Sequence, residues 1–425
     1  CFDGMDQILS TGQNSATGVK SYMIGGTRFD IPQEYTPIQY VNKGANGVVC
    51  SGYHNPTGTK VAIKKVSGIF GNLENTKRLL REVKLLRHFC NEHVLSIADI
   101  FKPPSKAEFE DLYIVSDLMD TDLEVIINSG QPLSETHIQY FTYQLLCAVK
   151  YIHSANVLHR DIKPANILCN EDCTIKLADF GLARVQNKLD DLTEYVATRW
   201  YRAPEVILSW KEYTKQIDIW SVGCILAELY LRKPLFQGQD YIHQITRITD
   251  ILGSPQPEDI NMLVSERARE FLIQMGPKPK IPWNAIIPNI SPLCADLLDN
   301  MLAFNPSKRY TVDQALNHPY FEDIRDPDIE VNADAIFSFD FEKWKLSKEI
   351  YQELFYNEIC YFHPEAALQI EKVPTPMSPA QDTHLDDSSV WSPSPVPLTP
   401  NSAFLHTCNI GNETPDYESI FGSNH

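Results

Sequence analysis

The sequence lacks the cysteine spacing that typifies zinc sites and disulfide-rich secreted domains. Its ten cysteines are widely separated except for Cys169 and Cys173, and no Cys-x2-Cys pair occurs. Closely spaced cysteine pairs are the usual ligands of structural zinc, and dense cysteine frameworks occur in small secreted domains. We therefore expect reduced thiols, no structural metal centre, and a cytoplasmic and nuclear location.

Long apolar runs and an excess of basic residues are also missing. The longest apolar stretch, residues 219–231, is shorter than a membrane-spanning helix and contains Glu228, so it predicts a buried helix. The net charge is −18 and the isoelectric point about 5.1, which disfavours nucleic acid or an anionic membrane as a partner and favours basic peptides. At 425 residues with 43% apolar and 22% charged residues, the chain can form a large globular core.

What the sequence does contain is a series of short motifs in a fixed order. They are, along the chain, Val61-Ala62-Ile63-Lys64, His159-Arg160-Asp161 followed by Lys163 and Asn166, Asp179-Phe180-Gly181, and Ala203-Pro204-Glu205. This set resembles that of the eukaryotic protein kinases. The resemblance implies an α+β, bilobal fold: a small antiparallel β-sheet lobe with one main helix, a larger mainly helical lobe, and ATP with Mg²⁺ between them.

The resemblance also implies catalytic roles. Phosphoryl transfer requires a carboxylate that receives the hydroxyl proton and oxygen ligands that hold Mg²⁺ against the phosphates. Asp161 matches the proton acceptor, Lys163 the cation that stabilises the transferring phosphoryl group, and Asn166 and Asp179 the metal ligands. Thr198 is a further catalytic candidate.

The nucleotide site is expected around a glycine-bearing turn between two strand-like segments, residues 36–41 and 48–54. Lys64 would hold the α and β phosphates, and Glu82, on an amphipathic helix, would orient Lys64. Ser116 would guard the back of the adenine pocket. The predicted nucleotide-binding residues are Asn42, Lys43, Gly44, Gly47, Val49, Ala62, Lys64, Glu82, Ser116, Asp117, Met119, Asp122 and Leu168.

One position departs from the family pattern. Asn42 stands where the first glycine of Gly-x-Gly-x-x-Gly-x-Val belongs, while Gly44, Gly47 and Val49 match. This departure motivates an alternative interpretation, a pseudokinase that acts as a scaffold for docking peptides.

Thr193-Glu194-Tyr195 narrows the resemblance to the extracellular-signal-regulated branch of the mitogen-activated protein kinases. It implies activation by phosphorylation of Thr193 and Tyr195 by an upstream dual-specificity kinase, and protein substrates with Ser/Thr-Pro sites. Phosphatases and docking-motif proteins are further expected partners, and the chain is expected to be a monomer. The predicted phosphate-binding arginines are Arg81, Arg160 and Arg184 for phosphothreonine and Arg199 and Arg202 for phosphotyrosine.

The predicted domain organisation has five parts. They are a flexible arm (1–29), the small lobe (30–119), the large lobe (120–325, with an insert at about 255–290), a C-terminal extension packed on the kinase domain (326–363) and a disordered tail (364–425). The tail is rich in Pro and Ser and carries Ser/Thr-Pro sites of its own. Asp326, Asp328 and Glu330 match the acidic docking patch of the family.

Overall fold

The computed structural model describes residues 8–14, 18–44, 47–185, 199–208, 214–261, 263–343 and 347–367. It shows the expected α+β fold, with an antiparallel sheet in the small lobe and helices in the large lobe. The strands are β1 (Leu9–Asn14), β2 (Val19–Ile24), β3 (Thr27–Pro32), β4 (Tyr35–Gly44), β5 (Gly47–His54), β6 (Thr59–Val66), β7 (Ile97–Ile100), β8 (Leu112–Asp117), β9 (Thr121–Asp122), β10 (Val157–Leu158), β11 (Ile167–Cys169), β12 (Ile175–Leu177) and β13 (Arg184–Val185).

Most helices belong to the large lobe. The helices are α1 (Leu73–His88), α2 (Leu123–Asn128), α3 (Glu135–Ser154), α4 (Pro204–Ile207), α5 (Gln216–Leu231), α6 (Tyr241–Leu252), α7 (Pro257–Asn261), α8 (Glu266–Gln274), α9 (Trp283–Ile286), α10 (Pro292–Met301), α11 (Val312–Leu316), α12 (Lys348–Phe362) and α13 (Pro364–Ala367). Short 3-10 helices lie at Pro164–Asn166, Arg199–Tyr201, Pro319–Phe321, Pro327–Ile329 and Asp340–Lys343. Within the described residues, none of the helices combines the length and apolar character needed to cross a bilayer.

The small lobe is built on a five-stranded antiparallel sheet in the order β4-β5-β6-β8-β7. Helix α1 packs beside this sheet and is capped at its N-terminus by Asn72, whose side chain accepts hydrogen bonds from the backbone N–H groups of Glu74 and Asn75. Leu79, Val83 and Leu86 of α1 are buried, as their spacing predicts.

The N-terminal residues differ from the flexible arm predicted for residues 1–29. Strands β1, β2 and β3 form a three-stranded antiparallel sheet. Ile24, Phe29 and Ile31 of this sheet are fully buried and share one hydrophobic core with Tyr113 and Val115 of β8. The N-terminal segment therefore covers the outer face of the small-lobe sheet and contributes to its stability.

The large lobe is organised around two long helices, α3 and α5, which pack against each other. Helix α3 begins with a capping box at Ser134, and α5 contains the apolar run noted above with Trp220 fully buried. The predicted insert contains α7 and α8, followed by the short α9. The β9, β11 and β12 strands form a small sheet at the lobe boundary, in the order β12-β11-β9.

The C-terminal extension returns to the small lobe. Helix α12 packs against α1, and its buried Phe355 contacts Phe70 edge to face with ring centroids 6.1 Å apart. Glu358 of α12 pairs with Lys84 and Arg87 of α1. The disordered tail was predicted to begin at residue 364, but Pro364–Ala367 form α13. The rest of the predicted tail, from residue 368 onward, lies outside the described residues.

Candidate active site

The ion pair predicted to position the phosphates of ATP is formed. Lys64 lies on β6 opposite Val49 of β5, and its Nζ is 2.8 Å from Oε1 of Glu82 on α1. Burial lowers the pKa of the Lys64 ammonium, but the charge and hydrogen bond of Glu82, with the charge of Asp179, outweigh it and raise the pKa above its ordinary value. Lys64 is therefore a cation that Glu82 holds in place and whose charge Asp179 helps to stabilise.

The catalytic loop brings Asp161, Lys163 and Asn166 together. Nζ of Lys163 is 2.8 Å from Oδ2 of Asp161. The amide of Asn166 donates to the Asp161 backbone oxygen at 2.8 Å and to Oδ2 of Asp161 at 3.2 Å. The NH₂ group of Asn166 is thereby committed, so its amide oxygen is the atom that can accept a cation.

A buried carboxylate fixes the backbone of this loop. Asp218, at the start of α5, accepts hydrogen bonds from the N–H of His159 and of Arg160, each at 2.9 Å, and from Nε2 of His153 at 2.8 Å. Burial raises the pKa of Asp218, but these partners outweigh it and the pKa lies below its ordinary value. Arg160 has a positive φ of 71°, and these hydrogen bonds hold that uncommon conformation in place.

The segment at Asp179 is anchored by aromatic contacts of Phe180, tilted against Phe89 and edge-on against His159. Phe180 is fully buried and lies between Phe89 and His159, with centroid distances of 5.2 and 4.8 Å. Asp179 itself has a positive φ of 64°. The charge of Asp179 contributes to the raised pKa of Lys64, and its carboxylate can serve as an oxygen ligand.

Residues predicted to bind adenine and ribose lie on paired strands of both lobes. Ala62 pairs with Ser116 across β6 and β8, and Asp122 pairs with Leu168 across β9 and β11. Ala62, Ser116 and Leu168 are all partly exposed beside buried neighbours, as expected for residues that line an open cleft. Asp122 also caps α2 through the N–H of Val125 at 2.9 Å.

Gly47 is required by geometry in the glycine-bearing turn. It has φ +127°, and a Cβ there would lie 2.2 Å from the backbone oxygen of Lys65. Asn42 is accommodated in β4, paired with Val49, after an irregularity in the register that begins at Tyr40. Residues 45 and 46 of the turn lie outside the described residues.

Two of the predicted phosphate-binding arginines meet at one carboxylate. Nε of Arg81 hydrogen-bonds Oε1 of Glu342, and Nε of Arg184 lies 3.9 Å from Oε2 of Glu342. Arg81 also donates to the backbone oxygen of Gly181. Glu342 was not predicted from the sequence, although it directly follows a segment rich in phenylalanine, of which Phe337 and Phe339 are buried.

The two arginines predicted to bind phosphotyrosine, Arg199 and Arg202, meet at Tyr241, the first residue of α6. Nη1 of Arg202 donates to the Tyr241 hydroxyl at 2.9 Å, and both guanidinium groups lie 5.7 Å from the ring centroid. Arg199 donates to the backbone oxygen of Gln239 at 2.8 Å. Thr193, Tyr195 and Thr198 lie outside the described residues, so their predicted roles remain predictions.

The predicted docking patch is only partly exposed. Asp328 is exposed and Asp326 is half-buried, but the structure differs for Glu330, whose side chain is buried. Glu330 accepts from Arg325 at 2.7 Å and from the Tyr143 hydroxyl at 2.9 Å. Glu330 therefore makes contacts inside the protein and is not an exposed part of the predicted docking patch. 

A further acid, Glu92, was not predicted from the sequence. Burial raises the pKa of Glu92, opposed by Lys176 and reinforced by the charge of Asp326. Glu92 is exposed, so like Asp328 it adds negative charge to the protein surface.

The motif glutamate of the Ala203-Pro204-Glu205 segment is buried against Arg309. Two hydrogen bonds of 2.6 and 3.0 Å join the guanidinium to the carboxylate. This bidentate pair ties the end of the lip, as we call the segment between Asp179 and Glu205 that carries Thr193 and Tyr195, to the large lobe.

Comparison with known proteins agrees with this geometry. Residues 35–321 match the family described as protein kinase domain. The chain is 57% identical over 347 residues to Extracellular signal-regulated kinase 1 of Dictyostelium discoideum, a match that covers 81% of this chain and 66% of that protein. It is 48% identical over 365 residues to the mitogen-activated protein kinase homolog MMK2 of Medicago sativa (84% and 98% covered), and 47% identical over 361 residues to Mitogen-activated protein kinase 4 of Arabidopsis thaliana (83% and 96% covered).

Proposed function

The chain belongs to the mitogen-activated branch of the protein kinase family, and from this premise we propose that it transfers the γ-phosphoryl group of ATP to Ser/Thr-Pro sites of other proteins. That it is a protein Ser/Thr kinase follows from its relatives. The observation that carries the proposal is the joint placement of the Lys64–Glu82 pair and the Asp161–Lys163 pair. Nothing in the comparisons supports the pseudokinase alternative that Asn42 suggested.

The residues have distinct roles in this reaction. Asp161 orients the substrate hydroxyl and accepts its proton, and Lys163 stabilises the charge of the transferring group. Lys64, held by Glu82, positions the α and β phosphates. The amide oxygen of Asn166 and the carboxylate of Asp179 fit Mg²⁺, which prefers oxygen ligands; when bound, Mg²⁺ neutralises charge on the phosphates.

Substrate choice is tested with paired peptides. A Ser-Pro peptide and its Ser-Ala counterpart are compared by kcat/KM with the doubly phosphorylated protein. The proposal predicts a preference for the Ser-Pro peptide of about tenfold or more, equivalent to roughly 1.4 kcal/mol of transition-state binding. Equal values for the two peptides would contradict proline direction while leaving the kinase assignment intact.

Activation is proposed to require phosphate on both Thr193 and Tyr195. A phosphate carries about −1.5 to −2 charges and orders a loop by pairing with arginines. The convergence of Arg81 and Arg184, and of Arg199 and Arg202, supports this proposal. Treatment with a dual-specificity kinase should raise the activity of the wild type and leave a Thr193→Ala, Tyr195→Phe variant at the basal rate; equal rates would overturn the proposal.

The proposal also includes the binding partners of the protein and its location in the cell. The surface of Glu92, Asp326 and Asp328 suits basic docking peptides of substrates, upstream kinases and phosphatases. A location in both cytoplasm and nucleus is in keeping with the reduced thiols expected from the sequence. Binding of a basic peptide should weaken on Asp326→Asn plus Asp328→Asn, and unchanged binding would place the docking site elsewhere.

A further inference from the structure

The arginine cluster proposed to receive phosphothreonine already contains an anion. Glu342 lies on the Asp340–Lys343 turn of the C-terminal extension, and its two carboxylate oxygens face Arg81 and Arg184 respectively. Its backbone oxygen also accepts from Nζ of Lys77 on α1 at 3.3 Å. Glu342 therefore joins the extension to α1 and to the segment that follows Gly181.

Both side chains of the Arg81–Glu342 pair are buried, so loss of the pair should be costly. The exposed fraction of the side chain is 1% for Arg81 and 3% for Glu342. A buried guanidinium without a carboxylate is strongly unfavourable, because desolvation of the charge is no longer offset. Arg81 must therefore have an anionic partner for α1 to keep this position.

The position of Arg81 is coupled to catalysis through its neighbours. Arg81 immediately precedes Glu82, which orients Lys64, and it donates to the backbone oxygen of Gly181, two residues after Asp179. An anchor on Arg81 thus acts on the phosphate-positioning lysine and on a proposed metal ligand together.

We propose that Glu342 is a positioning residue for phosphoryl transfer, an internal anion that holds Arg81 and Arg184 before the lip is phosphorylated. It keeps Glu82 and Asp179 in catalytic placement in the unphosphorylated protein. Phosphate on Thr193 brings a second, stronger anion to the same arginines, after which the enzyme depends less on Glu342. This inference rests on the proposed role of Thr193.

Glu358 provides a matched control. It too lies in the extension, its side chain is 4% exposed, and it pairs with two cations of α1, Lys84 and Arg87. Among the described residues, its ion-pair partners are these two cations and do not include Arg81. A Glu358→Gln variant should therefore reproduce the loss of extension anchoring without the loss of the Arg81 anion.

The test compares kcat/KM of unphosphorylated and doubly phosphorylated protein for wild type, Glu342→Gln and Glu358→Gln. We expect the ratio of phosphorylated to unphosphorylated activity to rise about tenfold or more in Glu342→Gln. The variant loses a charge-assisted hydrogen bond to Arg81 in both forms, but only in the phosphorylated protein can a phosphate replace the missing carboxylate. In Glu358→Gln the ratio should stay within about twofold of wild type, as expected for a site outside the coupled group.

Three results would overturn the inference: an unchanged ratio in Glu342→Gln, equal changes in the two variants, or a rise in the unphosphorylated activity of Glu342→Gln. Failure of the proposed function is distinguishable, because phosphorylation would then leave wild type itself unactivated. Glu342→Asp keeps the charge one methylene shorter and guards against misfolding of the Gln variant. The activity ratio of Glu342→Asp should fall between those of wild type and Glu342→Gln. If Glu342→Gln does not fold, a Glu342→Asp ratio equal to that of wild type counts against the inference.

Discussion

Replacing Arg309 by Met should strongly destabilise the large lobe. The side chains of Arg309 and Glu205 are 0% and 1% exposed, and the guanidinium also donates to the backbone oxygen of Gln216 at 2.8 Å and lies over the Trp220 ring at 4.9 Å. Met fills a similar volume but leaves the Glu205 carboxylate buried without a cation. Removing one partner of a buried pair costs about 3–5 kcal/mol.

Comparison with a double variant separates the loss of the ion pair from the loss of packing. Urea unfolding followed by tryptophan fluorescence gives the free energy of unfolding from the midpoint and slope. The double variant Arg309→Met, Glu205→Leu removes both charges and should be more stable than Arg309→Met alone, because no buried charge remains.

An exposed pair serves as the control. Lys102 and Glu365 are 3.6 Å apart with side chains 43% and 61% exposed, so Lys102→Ala should cost no more than ~1 kcal/mol after solvent screening. The reasoning is refuted if Arg309→Met costs as little as Lys102→Ala, or if the double variant is less stable than Arg309→Met.

Three further results are expected. Gly47→Ala should raise KM for ATP because its Cβ would meet the Lys65 backbone oxygen at 2.2 Å; an unchanged KM in steady-state kinetics would count against a structured turn. The hydrogen bond to Asp99 raises the pKa of His363, so its stabilising charge is present below the ordinary His pKa and is lost as pH rises through the folded-state pKa. Calorimetry should therefore find that His363→Gln lowers stability more at pH ~6 than at pH ~9, and a pH-independent difference would exclude this ion pair. Ser116→Met should weaken ATP-site inhibitors carrying an inward aromatic group by about tenfold, roughly 1.4 kcal/mol, with ATP turnover spared; equal inhibition would mean that the cleft has no space behind Ser116.

Much of the fold and the catalytic constellation could be predicted from sequence because the motifs are contiguous. Lys64 and Glu82 lie only 18 positions apart, on a strand and a helix whose periodicities are clear. The N-terminal sheet could also have been predicted from the sequence. Gly25-Gly26, both with positive φ, joins two alternating segments, which is a strong indication of a β-hairpin. The prediction of a flexible arm relied on composition and overlooked this pattern.

Contacts between distant segments could not be predicted in this way. Glu342 meets Arg81 across 261 positions, and no local pattern states which buried cation an acid will find. Likewise Glu330 is chemically similar to Asp328, and only the fold shows that Arg325 and Tyr143 take it inside. The burial and the partners of Glu342 and Glu330 are therefore set by tertiary contacts, which no local sequence pattern specifies.

The most direct test of the proposed site is the rate of phosphoryl transfer by Asp161→Asn. With the doubly phosphorylated protein and saturating Ser-Pro peptide, kcat should fall by about 10²–10⁴-fold, the contribution of a positioned proton acceptor. ATP binding should be unchanged, since Lys64 and Glu82 are untouched. A variant that keeps more than about a tenth of wild-type kcat, a loss below ~1.4 kcal/mol, would contradict the assignment of Asp161 as the residue that orients and deprotonates the substrate hydroxyl.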